Sequence, residues 1–133
     1  MNESHSDFSG LWQADLAAST LRGDLPTHVF VQIEHRAPKL IQEMHVTRKD
    51  GTESSVKFTY DTSGRETTNG QVSSLLRWVG AELLIESWME TKDRVFHFKD
   101  YWSLSPDGDT LTMAHRDDDL AGQTSVLRRR QVA

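Results

Sequence analysis

Cysteine is absent from this chain of 133 residues. Its absence excludes disulfide bonds, thiolate zinc sites and a cysteine nucleophile. Long hydrophobic runs are also missing, and no segment approaches the length that a membrane-spanning helix needs. Residues 1–7 are polar and contain no hydrophobic signal segment. We therefore expect no membrane span and a cytoplasmic location for the sequence as written, with export as the alternative if a signal peptide has been removed.

Local catalytic motifs are lacking as well. The chain contains neither a Gly-x-Ser-x-Gly nucleophile elbow nor a glycine-rich loop that could cradle a phosphate group. The net charge of −5 disfavours binding to nucleic acid. From these absences we predict no catalytic residue, no cofactor and no nucleic-acid partner.

The overall composition is that of an ordinary globular domain. Hydrophobic residues make up 36% of the chain and charged residues 26%, which is a common balance for such domains. The length suits one domain with a core of its own. We expect a single domain over residues 1–133, with a disordered N-terminus at residues 1–7.

Turn residues recur at short intervals and separate segments rich in β-branched and aromatic residues. Asp50-Gly51 and Asn69-Gly70 have the composition of two-residue hairpin turns. The predicted strands are Ser9–Leu16, Thr27–His35, Lys39–Arg48, Thr52–Tyr60, Arg65–Thr68, Gln71–Val79, Glu82–Glu90, Arg94–Leu104, Thr110–Arg116 and Gln123–Gln131. Because short connections favour antiparallel neighbours, and closure removes exposed edges, the sequence predicts an all-β fold. We expect an antiparallel up-and-down meander barrel of about eight to ten strands, with little or no helix.

Two segments of the sequence resemble a known superfamily. The stretch FSGLWQADLAAS carries Gly10-x-Trp12 at the start of the first predicted strand. This opening resembles the calycin superfamily, which includes the lipocalins and the fatty-acid-binding proteins. Trp102–Met113, together with Pro26 before the second strand, is similar to small uncharacterised bacterial lipocalin-like proteins. The resemblance covers most of the chain and implies a calycin-like barrel.

In that superfamily a tryptophan plugs the closed end of the barrel, beneath a basic side chain from the last strand. The resemblance gives this role to Trp12, and we expect the basic partner to be Arg128 or Arg130, in a cation–π contact. Residues 99–101 depart from the pattern, reading Lys-Asp-Tyr where a lipocalin has Thr-Asp-Tyr. The C-terminal VLRRRQ also lacks the carboxylate-binding Arg-x-Tyr of fatty-acid-binding proteins, so fatty-acid specificity does not carry over.

Aromatic and apolar side chains from several predicted strands should meet inside the barrel. A barrel of about ten strands is too wide for its side chains to fill, and an apolar lumen with a few polar anchors is the usual form of a small-molecule pocket. The expected ligand-binding residues are Phe30, Met44, Phe58, Arg77, Trp78, Phe98, Asp100, Tyr101 and Trp102. Asp100 stands among apolar neighbours, where an unpaired charge is costly. Arg77 and Tyr101 alternate away from the apolar sets, so one of them is expected to point outward.

Three functions therefore stay open at this point. The first is a barrel that binds a small apolar molecule without changing it. The second is an enzyme that uses the same cavity, with Asp100, Glu86 or a histidine as acid or base. The third is an interaction module with a packed core, whose edge or outer face forms a homodimer. Its clue in the sequence is Trp88, which alternates with Glu86 and Glu90. No His-x-His pair or other metal-ligand spacing occurs, so no metal site is predicted. If a metal or haem were bound, the histidines to test first would be His45, His97 and His115.

Overall fold

Ten β-strands make up most of the molecule. The structure, a computed structural model, describes residues 6–21, 25–117 and 122–130. The strands are β1 Gly10–Ala14, β2 His28–Arg36, β3 Lys39–Thr47, β4 Glu53–Asp61, β5 Thr67–Asn69, β6 Val72–Val79, β7 Glu82–Glu90, β8 Val95–Leu104, β9 Thr110–Asp117 and β10 Gly122–Arg130. Each predicted strand is present with its ends shifted by at most two residues. No helix occurs in the described residues, so the predicted all-β class is confirmed.

The strands form one antiparallel sheet that curls into a nearly closed barrel. Their order is β4-β3-β2-β1-β10-β9-β8-β7-β6-β5. Strands that follow each other in the sequence are paired, except β4 and β5, which form the seam of the barrel. β1 also pairs with β10, so the first and last strands lie side by side. Gly51 and Gly70 take positive φ angles of 86° and 63°, but neither turn has the two central residues that the sequence predicted. Residues 49–51 separate Arg48 from Thr52, which are hydrogen-bonded to each other, and the two-residue turn after β5 is Gly70-Gln71, because Asn69 pairs with Val72. The predicted up-and-down meander is confirmed.

The seam between β4 and β5 is bridged by one side chain. Asn69 donates an Nδ2 hydrogen to the backbone carbonyl of Thr59 at 3.0 Å. Its Oδ1 accepts the backbone N–H of Thr59 at 2.9 Å. One amide thus makes the pair of hydrogen bonds that a facing residue makes in an antiparallel ladder. This contact covers part of the edge that would otherwise stay open.

Aromatic rings plug one end of the barrel. Phe8 is fully buried; its ring stacks on Trp78 with 6.0 Å between centroids and meets Trp102 edge-on at 5.6 Å. Trp12 is also fully buried and donates its indole N–H to the backbone carbonyl of Phe8 at 3.0 Å. Buried leucines complete this core, namely Leu40, Leu76, Leu83, Leu111 and Leu127.

The basic side chain over Trp12 is Arg129. Its guanidinium carbon lies 4.3 Å from the centre of the indole ring. The same guanidinium donates to the backbone carbonyl of Ser9 at 2.8 Å and to that of Gly108 at 3.0 and 3.1 Å. Arg129 therefore ties β10 to the start of β1 and to the β8–β9 turn, and closes the barrel over its tryptophan.

The expectation that Arg128 or Arg130 would fill this role is wrong. The register pairs Trp12 with Arg129, and successive side chains of a strand point to opposite faces. The two flanking arginines therefore lie on the outer face. Arg128 there forms an ion pair with Asp15 at 3.2 Å, and Arg130 hydrogen-bonds the side chain of Gln13.

Gly10 is required by the same closure. Its φ angle is 141°, a conformation that residues with a side chain rarely adopt. A β-carbon at this position would lie 2.5 Å from Nη1 of Arg129. The Gly-x-Trp pattern therefore has a physical meaning here. The glycine leaves room for the guanidinium that covers the tryptophan two residues later.

The predicted disorder of residues 1–7 concerns positions that lie mostly outside the described residues. Of the two that are described, Ser6 donates its hydroxyl to the backbone carbonyl of Ala81 at 3.2 Å. Asp7 places Oδ1 3.8 Å from Nδ1 of His35. Across the part of the chain that the structure describes, no helix is long and apolar enough to cross a membrane.

Replacing Arg129 by alanine should lower the free energy of unfolding by about 2–4 kcal/mol. The variant loses a cation–π contact and charge-assisted hydrogen bonds to backbone carbonyls. Arg128→Ala is the matched control, because it removes an exposed ion pair of the same strand and should cost about 1 kcal/mol or less. Denaturant unfolding of both variants measures the difference. Equal losses would contradict the assignment of Arg129 as the closing residue.

Candidate functional site

Inward-facing side chains leave a cavity in two adjoining chambers beyond the aromatic plug. The inner chamber has a volume of about 310 Å³ and the outer chamber about 590 Å³, both within the usual range for small-molecule pockets. The inner chamber is lined by Gln42, Met44, Phe58, Tyr60, Val72, Ile85, Ser87, Phe98, Asp100, Trp102, Met113, His115, Gln123 and Ser125. Four of these, Met44, Met113, Gln123 and Ser125, also line the outer chamber, so the two spaces share a wall.

The outer chamber lies between two connections of the barrel. Leu21, Leu25 and Pro26 border it from the link between β1 and β2, and residues 48–50 border it from the β3–β4 turn. Its wall is largely aliphatic, with Ala14, Val29, Val31, Val46 and Leu127. The basic side chains of Arg48 and Lys49 are thus at this side of the cavity, away from the plug.

One carboxylate and one imidazole form the polar centre of the inner chamber. Asp100 on β8 faces His115 on β9 in the strand register. Oδ1 of Asp100 lies 2.7 Å from Nδ1 of His115, a hydrogen-bond distance. The ring of Phe98 packs at a tilt against that imidazole, 5.5 Å between centroids. The carboxylate that the sequence placed among apolar neighbours therefore has a partner, and the pair lines the cavity.

A tyrosine hydroxyl belongs to the same chamber. Tyr60 is only 8% exposed. Burial raises the pKa of Tyr60 above its ordinary value, and the negative charge of Asp100 raises that pKa further. The phenol therefore keeps its proton at physiological pH, where it can donate a hydrogen bond. Gln42 is also buried on this wall, and the hydroxyls of Ser74 and Ser87 hydrogen-bond each other at 2.8 Å.

Five of the nine predicted ligand-binding residues line the inner chamber: Met44, Phe58, Phe98, Asp100 and Trp102. They come from β3, β4 and β8, which the fold brings to one cavity. Their role in binding stays a prediction. Among the lining residues that the sequence did not single out, Tyr60 could have been found, since it alternates with Phe58. The sequence indicated His115 only as a histidine to test for a metal or haem, and its place opposite Asp100 depends on the register of β8 and β9.

The other four predicted residues lie outside the two chambers. Trp78 faces inward but belongs to the aromatic plug, stacked on Phe8. Phe30 is on the outer face of β2, and the guanidinium of Arg130 lies 5.7 Å from its ring centre. Arg77 and Tyr101 both pair with Leu84 of β7. The residues on either side of Leu84 point into the barrel, so Leu84 and its two partners face outward. The sequence expected only one of these two to turn away from the lumen.

The two carboxylates considered for catalysis, Asp100 and Glu86, do not share a site. Asp100 faces the lumen, whereas Glu86 pairs with Lys99 and lies on the outer face. There its Oε2 is 2.7 Å from Nε2 of His97. Trp88 lies on the same outer face and stacks on the His97 ring with 5.3 Å between centroids. The two carboxylates are therefore on opposite sides of the sheet.

The three histidines singled out for metal binding do not converge. His115 faces the lumen, and His97 is on the outer face of the next strand. His45 is half exposed and lies 3.0 Å from Glu43 of its own strand. Within the described ranges, no group of three or more histidine, aspartate or glutamate side chains is arranged to hold a metal ion.

Two solved structures share this fold at low sequence identity. A mutant of the fluorescent protein UnaG superposes with a TM-score of 0.63 and 16% identity, covering 92% of this chain and 95% of that one. Secretory abundant heat soluble protein 4 from Ramazzottius varieornatus superposes with a TM-score of 0.68 and 11% identity, covering 98% and 100%. No family model matches the sequence, and no curated protein matches it. The chain has a calycin-like fold.

The raised pKa of Tyr60 predicts a specific loss of stability in alkali. Tyrosine in the unfolded chain ionises near 10.0, whereas folded Tyr60 keeps its proton to higher pH. The contribution of Tyr60 to the free energy of unfolding is therefore complete below the unfolded-state pKa of 10.0. It is lost as the pH rises from there through the higher pKa of the folded protein. Tyr60→Phe should flatten this decline, and Tyr101→Phe is the control. Denaturant unfolding at a series of alkaline pH values tests it; equal slopes for wild type and Tyr60→Phe would contradict it.

Proposed function

We propose that this barrel binds a small, mostly apolar molecule in its lumen. The observation that carries the proposal is the two-chamber cavity behind the aromatic plug. Its combined lining is mainly aliphatic and aromatic, and its polar groups are concentrated in the inner chamber around Asp100 and His115. An apolar pocket with a few fixed polar groups is the common design of small-molecule sites.

The arrangement of the barrel supports binding over a fully packed interior. The aromatic plug fills one end of the barrel, where Phe8 and Trp12 are fully buried. Beyond it the wall combines aromatic rings, such as Phe58, with smaller side chains, such as Met44 and Ser125, and leaves open space between them. Protein interiors normally leave few voids larger than a water molecule. Chambers of about 310 and 590 Å³ therefore suit an occupant from outside the chain.

The carrier role is favoured over catalysis by what the chamber contains. His115 and Asp100 form a pair that could move a proton. Glu86, the second carboxylate considered from the sequence, lies on the outer face. The hydroxyls of Ser74 and Ser87 form a hydrogen bond with each other and not with His115 or Asp100. Binding alone needs only the space and the polar anchors, so it is the function that we assign to the cavity.

A pair of serine-to-phenylalanine variants tests the proposal with the neutral fluorescent probe Nile red. Ser125 lines both chambers, so Ser125→Phe should fill the space between them and weaken probe binding by roughly tenfold or more, since packed interiors tolerate little extra volume. Ser103 pairs with Thr112 on the outer face, so Ser103→Phe should bind like wild type. Fluorescence titration gives the affinities, and circular dichroism checks that each variant folds.

Two outcomes of this titration would overturn the proposed function. One is that wild-type protein gives no saturable binding of Nile red or of other neutral apolar probes. The other is that Ser125→Phe, folded as judged by circular dichroism, binds the probe as tightly as Ser103→Phe. The second result would place the probe on the outer surface of the barrel.

A further inference from the structure

The charges inside the cavity are distributed unevenly between its two chambers. Among the described residues that line the inner chamber, Asp100 is the one carboxylate, and no lysine or arginine accompanies it. Two cationic side chains, Arg48 and Lys49, and one carboxylate, Asp50, border the outer chamber instead. Among the residues that the structure describes, the inner chamber therefore has a carboxylate without a lysine or arginine beside it, whereas the lining of the outer chamber carries two cations and one carboxylate.

Asp100 has the geometry of an anchor for a hydrogen-bond donor. Its side chain lines the inner chamber and is 29% exposed, so part of it is accessible to a molecule in the cavity. Within the described chain, the hydrogen bond found for it joins Oδ1 to His115. A carboxylate has room for several donors around its two oxygens. The remaining acceptor positions suit a donor that enters with the ligand.

A ligand carboxylate would be a poor occupant of the same place. Two carboxylates in one site of low polarity repel each other, so that one of them must give up its charge. The phenol of Tyr60 can hydrogen-bond an anion, but the negative charge of Asp100 stands in the same chamber and already opposes ionisation of that phenol. The inner chamber is thus expected to favour ligands with a neutral or cationic head group over ligands with an anionic one.

We propose that the inner chamber takes the head group of a cationic amphiphile, a protonated amine on an apolar chain, with Asp100 as its counter-ion. This proposal rests on the proposed function and specifies the class of ligand. The ammonium group would donate to the carboxylate of Asp100, and the apolar chain would extend past Met44 and Met113 into the outer chamber. A protonated amine can donate to Asp100 while His115 retains its own hydrogen bond to Oδ1.

The test compares three ligands that share one chain and differ in head group. Decylamine, decanol and decanoate are titrated into the wild-type protein by calorimetry at neutral pH, below the concentrations at which they aggregate. Decylamine should bind roughly tenfold or more tighter than decanol, since hydrogen bonds between charged groups are stronger than neutral ones. Decanoate should bind most weakly. This ranking needs no variant, so it stands even if substitutions at Asp100 impair folding.

A charge-removing variant identifies the residue responsible. Asp100→Asn keeps an acceptor oxygen toward His115 but removes the charge, so it should weaken decylamine by roughly tenfold and change decanol by about threefold or less. Glu53→Gln is the matched control. Glu53 is exposed at the start of β4 and lines neither chamber, so losing its charge should leave the ranking of the three ligands unchanged.

The outcomes separate this inference from the function on which it rests. If decanol or decanoate binds as tightly as decylamine, the inference is wrong while the lumen remains a ligand site. If Asp100→Asn and Glu53→Gln weaken decylamine equally, attraction by the overall charge of the protein replaces a specific counter-ion. If none of the three ligands binds, and neutral apolar probes do not bind either, both the inference and the proposed function fail.

Discussion

The pairing of the first strand with the last is the contact on which the rest of this molecule depends. Without it, the strands would divide into two separate sheets, β1–β4 and β5–β10, because β4 and β5 form no ladder with each other, and each sheet would expose its edges. Arg129 secures the pairing, since its guanidinium covers Trp12 and bonds the backbone carbonyl of Ser9. Gly10 leaves the space that this guanidinium occupies. The pairing of β1 with β10 is therefore secured by three residues, Gly10, Trp12 and Arg129, near the two ends of the described chain.

Closure of this kind also creates the space that we interpret as the binding site. One end is filled by the rings of Phe8, Trp12 and Trp78. Beyond the plug, the inward wall combines rings such as Phe58 and Phe98 with smaller side chains such as Ser125, and these do not fill the circumference set by ten strands. A cavity is the consequence, and a paired carboxylate, Asp100, lines its inner chamber. The calycin-like fold thus supplies a container, and the side chains on its wall determine the chemistry of the contents.

The architecture was predictable from the sequence because its signals are local. Turn pairs such as Asp50-Gly51 and the alternation within each segment locate the strands without knowledge of their partners. The partner of Trp12 was mispredicted for the opposite reason, since three consecutive arginines give no sign of which one faces inward. Only the β1–β10 register selects Arg129. The Asp100–His115 pair likewise depends on how β8 aligns with β9, which no single segment encodes.

The central claim, that the lumen of this barrel holds a ligand, is tested most directly by the methionine methyl groups. The chain has four methionines; Met44 and Met113 line both chambers, whereas Met89 on β7 lines neither. With methyl-labelled methionine and decanol as the ligand, the account predicts that the nuclear magnetic resonance signals of Met44 and Met113 shift together and saturate, while that of Met89 stays in place. Unchanged Met44 and Met113 signals under conditions where decanol binds would contradict it.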